Sequence, residues 1–452
     1  MAHTQRSPLK LLASAVCAAT LAWTGNASAL GLIQAYQAAL QNDPTYRGAF
    51  FDSESGKEAR IQGRAGLLPQ VGANFNLSQN RADTLTTSTN ILGQPTKSLT
   101  HPKYTSRVES VSLRQAVLNL EAIARYKQSV AQSNFASARF DGQTQEMILR
   151  VTGAYFDVLY GDEQVALATA ERDMYIEQRQ VNDRLFKQGE GTRTDMLETQ
   201  ARLDVAEARL IEALDSRNAA RETLAKLIGD GDSALDPLLP EFRIMPAPDR
   251  LDELRKQALA NNPDIQALQY SVEASRQEIN RARSGHAPRV DFVASYSKND
   301  AETINTYNQD STVRSIGVQV NIPLYQGGQV NSVSRQAAAN YEKAKADLQA
   351  RADKLTVDLG KDYAATLSGA AKILALSKAV ESSKLLVQAT EQSIKGGVRI
   401  NLDLLNARQQ MYTSQRDLAQ ARYSYLLASM RLRSAVGSLS VDDVKEVAGY
   451  FR

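Results

Sequence analysis

The sequence has one cysteine, three histidines and only 6% aromatic residues in 452. The lone Cys17 falls inside an N-terminal export signal. There Arg6 and Lys10 precede the apolar stretch Leu11 to Trp23, and Ala27-Ser28-Ala29 offers a small-x-small cleavage site. Residues 1–29 are therefore read as a signal peptide, and the mature chain has no cysteine, which excludes disulfides and thiol chemistry. Val16 before Cys17 is a poor fit to a lipoprotein site. Charge of one sign is missing too: 53 Lys and Arg stand against 50 Asp and Glu, which excludes polybasic nucleic-acid binding. Outside the signal no apolar run reaches the ~18 residues of a transmembrane helix, so any membrane passage must be made by strands. Catalysis lacks an inventory as well. His101 and His286 each sit near a proline in a polar segment, and no metalloprotease, nucleophile-elbow or phosphate-loop motif occurs. The expectation is a non-enzyme without cofactor or metal.

What is present is said twice. Ala39 to Pro44 (ALQNDP) returns as Ala258 to Pro263 (ALANNP), an offset of 219 at which Arg64, Gly66, Pro69 and Val71 also meet Arg283, Gly285, Pro288 and Val290. Farther along the offset is 208. Tyr155, Leu159, Gly161, Lys187, Gly189, Asp195, Leu197 and Gly229 meet Tyr363, Leu367, Gly369, Lys395, Gly397, Asp403, Leu405 and Gly437. The difference lies in one place, where the polar stretch Arg81 to Ser106 outruns its counterpart Asp300 to Thr312.

Proline marks where each half can be helical. It is absent from Lys103 to Asp236 and from Leu324 to Arg452, while Pro237, Pro240, Pro246 and Pro248 crowd the join. In the second arm Tyr341, Ala344, Leu348, Ala352, Leu355, Leu359, Tyr363, Leu367, Ala371 and Leu374 advance by three or four, predicting a helix from Gly328 to Lys395, about 100 Å long at 1.5 Å per residue. A break at Lys395-Gly396-Gly397 and a second helix, Asn401 to Val436, complete a coiled-coil hairpin; Gly189 and Gly191 break the first arm in the same way. The predicted organisation is a first repeat over 30–229 (β-hairpin 70–118, helical hairpin 119–229) and a linker over 230–250. A second repeat follows over 251–437 (β-hairpin 289–323, helical hairpin 327–437), with a tail over 438–452.

Four segments alternate with period two. Val71, Ala73, Phe75 and Leu77 form one apolar row; the others are Val111 and Leu113, then Val290, Phe292, Ala294 and Tyr296, then Ile316, Val318, Val320 and Ile322. Such segments suit a half-buried soluble sheet or strands that cross a bilayer with lipid on one side and water on the other. Four strands cannot close a barrel, and an open edge cannot sit in lipid, so membrane strands must share a barrel with further copies of the chain. The fold class expected is mainly α with a small β part, the strands lying in the outer membrane and the helices in the periplasm.

This arrangement resembles the TolC family of outer-membrane channel-tunnels over nearly all of the mature chain. The stretches that carry the likeness are Ala421 to Leu439 (ARYSYLLASMRLRSAVGSL), Leu32 to Pro44 (LIQAYQAALQNDP) and Ile322 to Gly328 (IPLYQGG). The resemblance implies a homotrimer with one shared twelve-stranded β-barrel and an α-barrel of helical hairpins. It also implies a periplasmic aperture at the hairpin tips, Gly189 to Asp195 and Gly397 to Asp403. Asp403 matches a ring-forming aspartate, Arg399 a linking arginine, and Thr194 and Asp195 its partners; Asn406 stands where a second acidic ring would be, and Ile394 where a linking tyrosine would be. An acid in a first helical turn also favours the dipole, so Asp195 and Asp403 have that role available too. Gly189, Gly191, Gly396 and Gly397 are the turns at which an adaptor would dock. Three functions are compatible with these residues. One is the duct of a type I secretion machine, passing an unfolded protein from an inner-membrane ABC transporter through a periplasmic adaptor. The others are the duct of a multidrug efflux pump and a structural coiled-coil envelope protein. The tips lack the Val-Gly-Leu-like pattern of efflux docking, which favours protein secretion.

Overall fold

The computed structural model describes residues 29–231, 233–301 and 309–451. Residues 1–28, within the expected export signal, and residues 302–308 of the second polar stretch lie outside the described residues. Two helices, α1 (Leu32–Asn42) and α2 (Pro44–Ala65), lead to strand β1 (Gln70–Arg81), a small hairpin of β2 (Thr84–Thr89) and β3 (Pro95–Thr100), and strand β4 (Lys103–Leu118). The long hairpin α3 (Leu120–Gln188) and α4 (Arg193–Ile228) follows. The second half runs α5 (Leu251–Asn261), α6 (Pro263–Arg283), β5 (Arg289–Ala301), β6 (Asp310–Asn321), α7 (Gln329–Lys395), α8 (Asn401–Val436) and a last helix α9 (Val441–Ala448). The chain is mainly α with a small β part. Among the described residues no helix is long and apolar enough to cross a membrane.

The duplication is visible in how elements begin, pack and end. Pro44 and Pro263, each at a first helical position, open α2 and α6. The Asp43 carboxylate accepts from the Thr45 amide at 2.9 Å, and Asn262 from the amides of Asp264 and Ile265 at 3.0 and 3.3 Å. Gly161 on α3 and Gly369 on α7 sit where a neighbouring helix comes close. A Cβ added to Gly161 would lie 3.1 Å from Arg217 Cα on α4, and one added to Gly369 would lie 3.2 Å from the Tyr425 ring on α8. Arg217 and Tyr425 are themselves 208 apart, so the duplication preserved a packing contact. Gly229 and Gly437 end α4 and α8 with φ of 80° and 84°, the left-handed C-cap that side chains with a Cβ resist.

The chain forms two compact units, one of residues up to 48, 143–258 and 357 onward, the other of 49–142 and 259–356. The first has a continuous apolar core: Leu32 and Tyr36 of α1, Met147, Ile148, Val151 and Tyr155 of α3, Ile228 of α4, Leu426 and Met430 of α8, Val444 and Val447 of α9, and Phe451. Full burial of each such side chain is worth about 1.5–3 kcal/mol. The proline-rich segment carries no helix or strand among its described residues, yet it is pinned to this core. The Tyr155 hydroxyl donates to the Asp236 carbonyl at 3.4 Å, the Met245 amide donates to the Tyr425 hydroxyl at 3.0 Å, and Leu238 bridges to Phe451.

The second unit holds an antiparallel sheet ordered β1-β4-β5-β6. Its register aligns Val71, Leu113, Ala294 and Ile316 in one row and puts Ala73, Val111 and Tyr296 in the next. Both outer strands, β1 and β6, have one unpaired edge. The apolar rows are bare: Val71 is 68% exposed, Phe75 60% and Ile316 80%. At the helix end of the sheet Asp291, buried, takes Arg114 at 2.5 Å and Arg289 at 2.9 Å. Beneath it α2 packs closely on α3 through small residues, where a Cβ on Gly56 would meet Ala136 at 2.3 Å and one on Gly63 would meet Ser129 at 1.9 Å.

Two features depart from the expected outline. The polar stretch Arg81 to Ser106 contains the β2–β3 hairpin, whose turn is set by the Asn90 side chain accepting from the amides of Leu92 and Gln94. Its threonines favour strand, but without an apolar alternation the period-two signal was absent. The tail contains α9, opened by a capping box between Ser440 and Asp443, too short for a periodic signal to register.

Candidate functional site

Both hairpin turns of the first unit are built alike. At the α3–α4 turn Gly189 adopts φ +81°, and the amides of Glu190 and Gly191 both donate to the Leu185 carbonyl, at 2.9 and 3.1 Å. At the α7–α8 turn Gly397 adopts φ +72°, with its amide donating to Ile394 at 2.9 Å and that of Val398 to Ser393 at 3.0 Å. Gly396, whose amide donates to Gln392 at 3.1 Å, closes the last turn of α7. Val398 and Ile400 stand in the open, 82% and 62% exposed.

The expected gate residues fall on these turns, but not in the expected pairing. Asp195 caps its own helix: its amide donates to Thr192 Oγ1 at 3.1 Å, and its carboxylate accepts from the Thr192 hydroxyl at 2.6 Å. Arg399 is not brought to Thr194 or Asp195 within the chain. Its guanidinium lies 4.0 Å from the Asp403 carboxylate one turn on, a pair with both members more than one-third exposed. Local reach explains the difference, because an i,i+4 neighbour is available without ordering a second element. Asn406 accepts from Arg202 of α4 at 2.7 Å, which ties α8 to the first hairpin.

A polar network that the sequence reading did not single out joins the two hairpins just behind their turns. Gln178 on α3 donates to Asn182 at 3.1 Å and to Asn401 of α8 at 2.9 Å. Asn182 in turn donates to Thr199 of α4 at 2.8 Å, with Thr199 at 0% exposure. Arg408 of α8 donates to Gln178 at 3.3 Å and to Glu391 of α7 at 2.7 Å. One network therefore touches all four long helices. Its trace in the sequence was faint but present: Asn182 follows buried Tyr175 by seven residues and Thr199 precedes buried Leu203 by four, so both polar side chains occupy apolar stripe positions.

Higher on the same helices, carboxylates of α3 face arginines of α8 and α4. Burial pushes the Glu163 carboxyl above its ordinary range, against the Tyr423 hydroxyl that donates to it at 2.9 Å and nearby Arg422. Burial likewise raises Glu171, which accepts from Arg209 at 3.0 Å. Asp43 goes the other way. Burial would raise it, but hydrogen bonds from Arg150 and the Thr45 and Tyr46 amides outweigh burial and hold the carboxyl low. None of these groups forms a nucleophile–base pair. Among the described residues no cluster of His, Asp and Glu could hold a metal ion.

The pattern of a family described as "Outer membrane efflux protein" matches residues 35–230 and 254–438. Among curated proteins, the chain is similar to the alkaline protease secretion protein AprF of Pseudomonas aeruginosa, 39% identical over 429 residues that cover 94% of this chain and 88% of that one. It is also similar to the proteases secretion protein PrtF of Dickeya chrysanthemi, 35% identical over 438 residues, 95% and 92% of the two chains. The fold matches the crystal structure of the Campylobacter jejuni CmeC outer membrane channel with a TM-score of 0.78, at 16% identity and over 93% and 90% of the chains.

Proposed function

The chain belongs to the outer membrane efflux protein family, that of TolC, and from this we propose that it is the outer-membrane duct of a type I secretion system. It is an outer-membrane protein. The observation that carries a duct is the four-stranded sheet with two open edges and a bare apolar face. Unpaired strand edges in lipid leave N–H and C=O groups without partners, so β1 of one copy must meet β6 of the next. Three copies give a twelve-stranded barrel, and their helical hairpins line a path through the periplasm. What favours protein export over drug efflux is the likeness of nearly the whole chain to proteins named for protease secretion. The partners are two further copies, a periplasmic adaptor that meets the turns at Gly189, Gly191, Gly396 and Gly397, and an inner-membrane ABC transporter. The substrate is an unfolded polypeptide.

The turns form the aperture. Three Asp403 side chains make a ring of negative charge, and Arg399 restrains the turns either through its own Asp403 or by reaching Thr194 and Asp195 of a neighbouring copy. The network of Gln178, Asn182, Thr199, Asn401 and Arg408 holds the two hairpins of each copy together behind that ring.

The test is complementation. In cells that lack their own duct, the chain expressed with the adaptor and transporter of a protease exporter should restore protease in the medium. Restored drug resistance without protease export would shift the reading to an efflux duct. Neither result, from a chain that assembles in the outer membrane, would sink both.

A further inference from the structure

The apolar face of the sheet turns basic toward its hairpin-loop end. Positions two apart share a face, so Arg81 continues the row of Phe75 and Leu77 on β1, and Lys103 and Arg107 that of Val111 on β4. Lys298 continues Tyr296 on β5, and Arg314 continues Ile316 on β6. All five cations are exposed. Arg107 is paired with Glu109, while Arg81, Lys103, Lys298 and Arg314 make no ion pair among the described residues. Arg81 and Lys103 stand directly opposite each other across the β1–β4 ladder, an arrangement of like charges that costs stability unless an anion joins it. Two guanidiniums are held down on the rim of the apolar band, Arg107 5.4 Å from the centre of the Phe75 ring and Arg314 5.7 Å from that of Tyr296. The carboxylates of the same region are three: Glu109, paired with Arg107 and opposite Lys298, and Asp300 and Asp310, which stand opposite one another with Asp300 also opposite Arg107. Cations are thus in excess.

The other face makes the contrast that matters. At the same end it carries Ser78, Asn80, Ser106, Ser297, Asn299 and Ser311, with no charged side chain among the described residues. A rim that only needed wetting would be charged on both faces. Here the charge lies only where lipid lies, and charges on a lipid-facing surface are tolerated near the interface and not at mid-bilayer.

We propose that this rim, with Lys298 and Arg314 at its centre, binds the phosphate groups of an anionic lipid in the leaflet that the loops face, the outer leaflet of the outer membrane. The acyl chains would lie on the bare apolar rows and the phosphates on the cations, arginine through paired N–H donors and lysine as a point charge. The inference rests on the reading of the chain as an outer-membrane trimer.

The test is lipid retention by the mature protein purified in detergent. It is mixed with diphosphoryl lipid A or with zwitterionic phosphatidylcholine, washed, and the lipids held per trimer are counted by native mass spectrometry. Lipid A should be retained about tenfold or more over phosphatidylcholine, as follows from several basic side chains each favouring an anionic headgroup about fivefold. The Lys298→Gln/Arg314→Gln pair should lose most of that preference, and Lys298→Arg/Arg314→Lys should keep it. Lys354→Gln on exposed α7 should change nothing. Lipid A stripped of its phosphates should fall to the phosphatidylcholine level, and excess inorganic phosphate should displace little, because it has no chains to lay on the apolar rows. Equal retention of the two lipids by the unaltered trimer, or an unchanged preference in the Gln pair, overturns the proposal and leaves the trimer reading intact. A chain that is a soluble monomer holding neither lipid overturns both.

Discussion

Single residues here act by two kinds of electrostatics. At the turns, the Arg399–Asp403 pair is long and exposed, and such a pair is worth only about 0–1 kcal/mol. Its effect is expected in conduction, because the proposed trimer would make the restraint three times around a narrow opening. Arg399→Ala should raise single-channel conductance in planar bilayers, while Asp403→Ala should mainly weaken cation selectivity and block by divalent cations. Unchanged conductance and unchanged selectivity together would place the constriction elsewhere. In the helical core the carboxylates titrate in opposite directions. Asp43 has a lowered carboxyl, so its contribution is complete above the ordinary carboxylate range and is lost as pH falls through its lowered value. Asp43→Asn, which leaves Arg150 unmatched, should cost about 3 kcal/mol at neutral pH and progressively less in acid. Glu163 is raised, so its ionised form strains the fold as pH climbs from the ordinary range through the raised value. Glu163→Gln should therefore raise the melting temperature at pH 7, with the gain shrinking toward pH 4 in circular-dichroism melts. A gain that is constant with pH would mean the carboxyl titrates normally.

At the scale of elements, close approach is carried by duplicated glycines. Gly161 lets α4 pass with Arg217 Cα only 3.1 Å from where a Cβ would stand, and backbone on a neighbouring helix cannot swing aside as a side chain end can. Gly161→Leu should destabilise by about 1–3 kcal/mol, the range for overpacking a filled contact, and lower the melting temperature accordingly. Gly153→Leu on the same helix, where a Cβ meets nothing within 4 Å, is the control and should cost little. The polar network behind the turns belongs to this scale too. Asn182→Leu removes the donor to buried Thr199 and should both loosen the hairpin pair and increase conductance, read in the same bilayer recordings.

For the whole molecule the expectations concern assembly. In detergent the mature chain should scatter light as a trimer, since each sheet leaves two edges open. A cysteine at Thr87, on β2 of the hairpin between β1 and β4, should react with an impermeant thiol reagent on intact cells, and the chain has no cysteine after Cys17 of the expected signal peptide to give background. Labelling only after the outer membrane is broken would reverse the topology.

The linear sequence by itself determined the elements and their duplication. Apolar spacing of three or four marked the long helices, glycine ended them at residues 188 and 395, and period two marked the four strands of the sheet. Those are local properties, written within a few turns of chain, and the turns at Gly189 and Gly397 were legible for the same reason, while Pro44 and Pro263 were legible only as the ends of a repeated stretch. Which side chains meet was only partly local. Thr192 and Asp195, and Arg399 and Asp403, meet within about one turn of chain, whereas Gln178 reaches Asn401 across 223 positions because helix packing brings that acceptor near. The basic rim follows the same logic. Each of its cations is an ordinary lysine or arginine in the sequence, and only the strand register puts them together at one end of one face, with Arg107 and Arg314 over the rings of Phe75 and Tyr296.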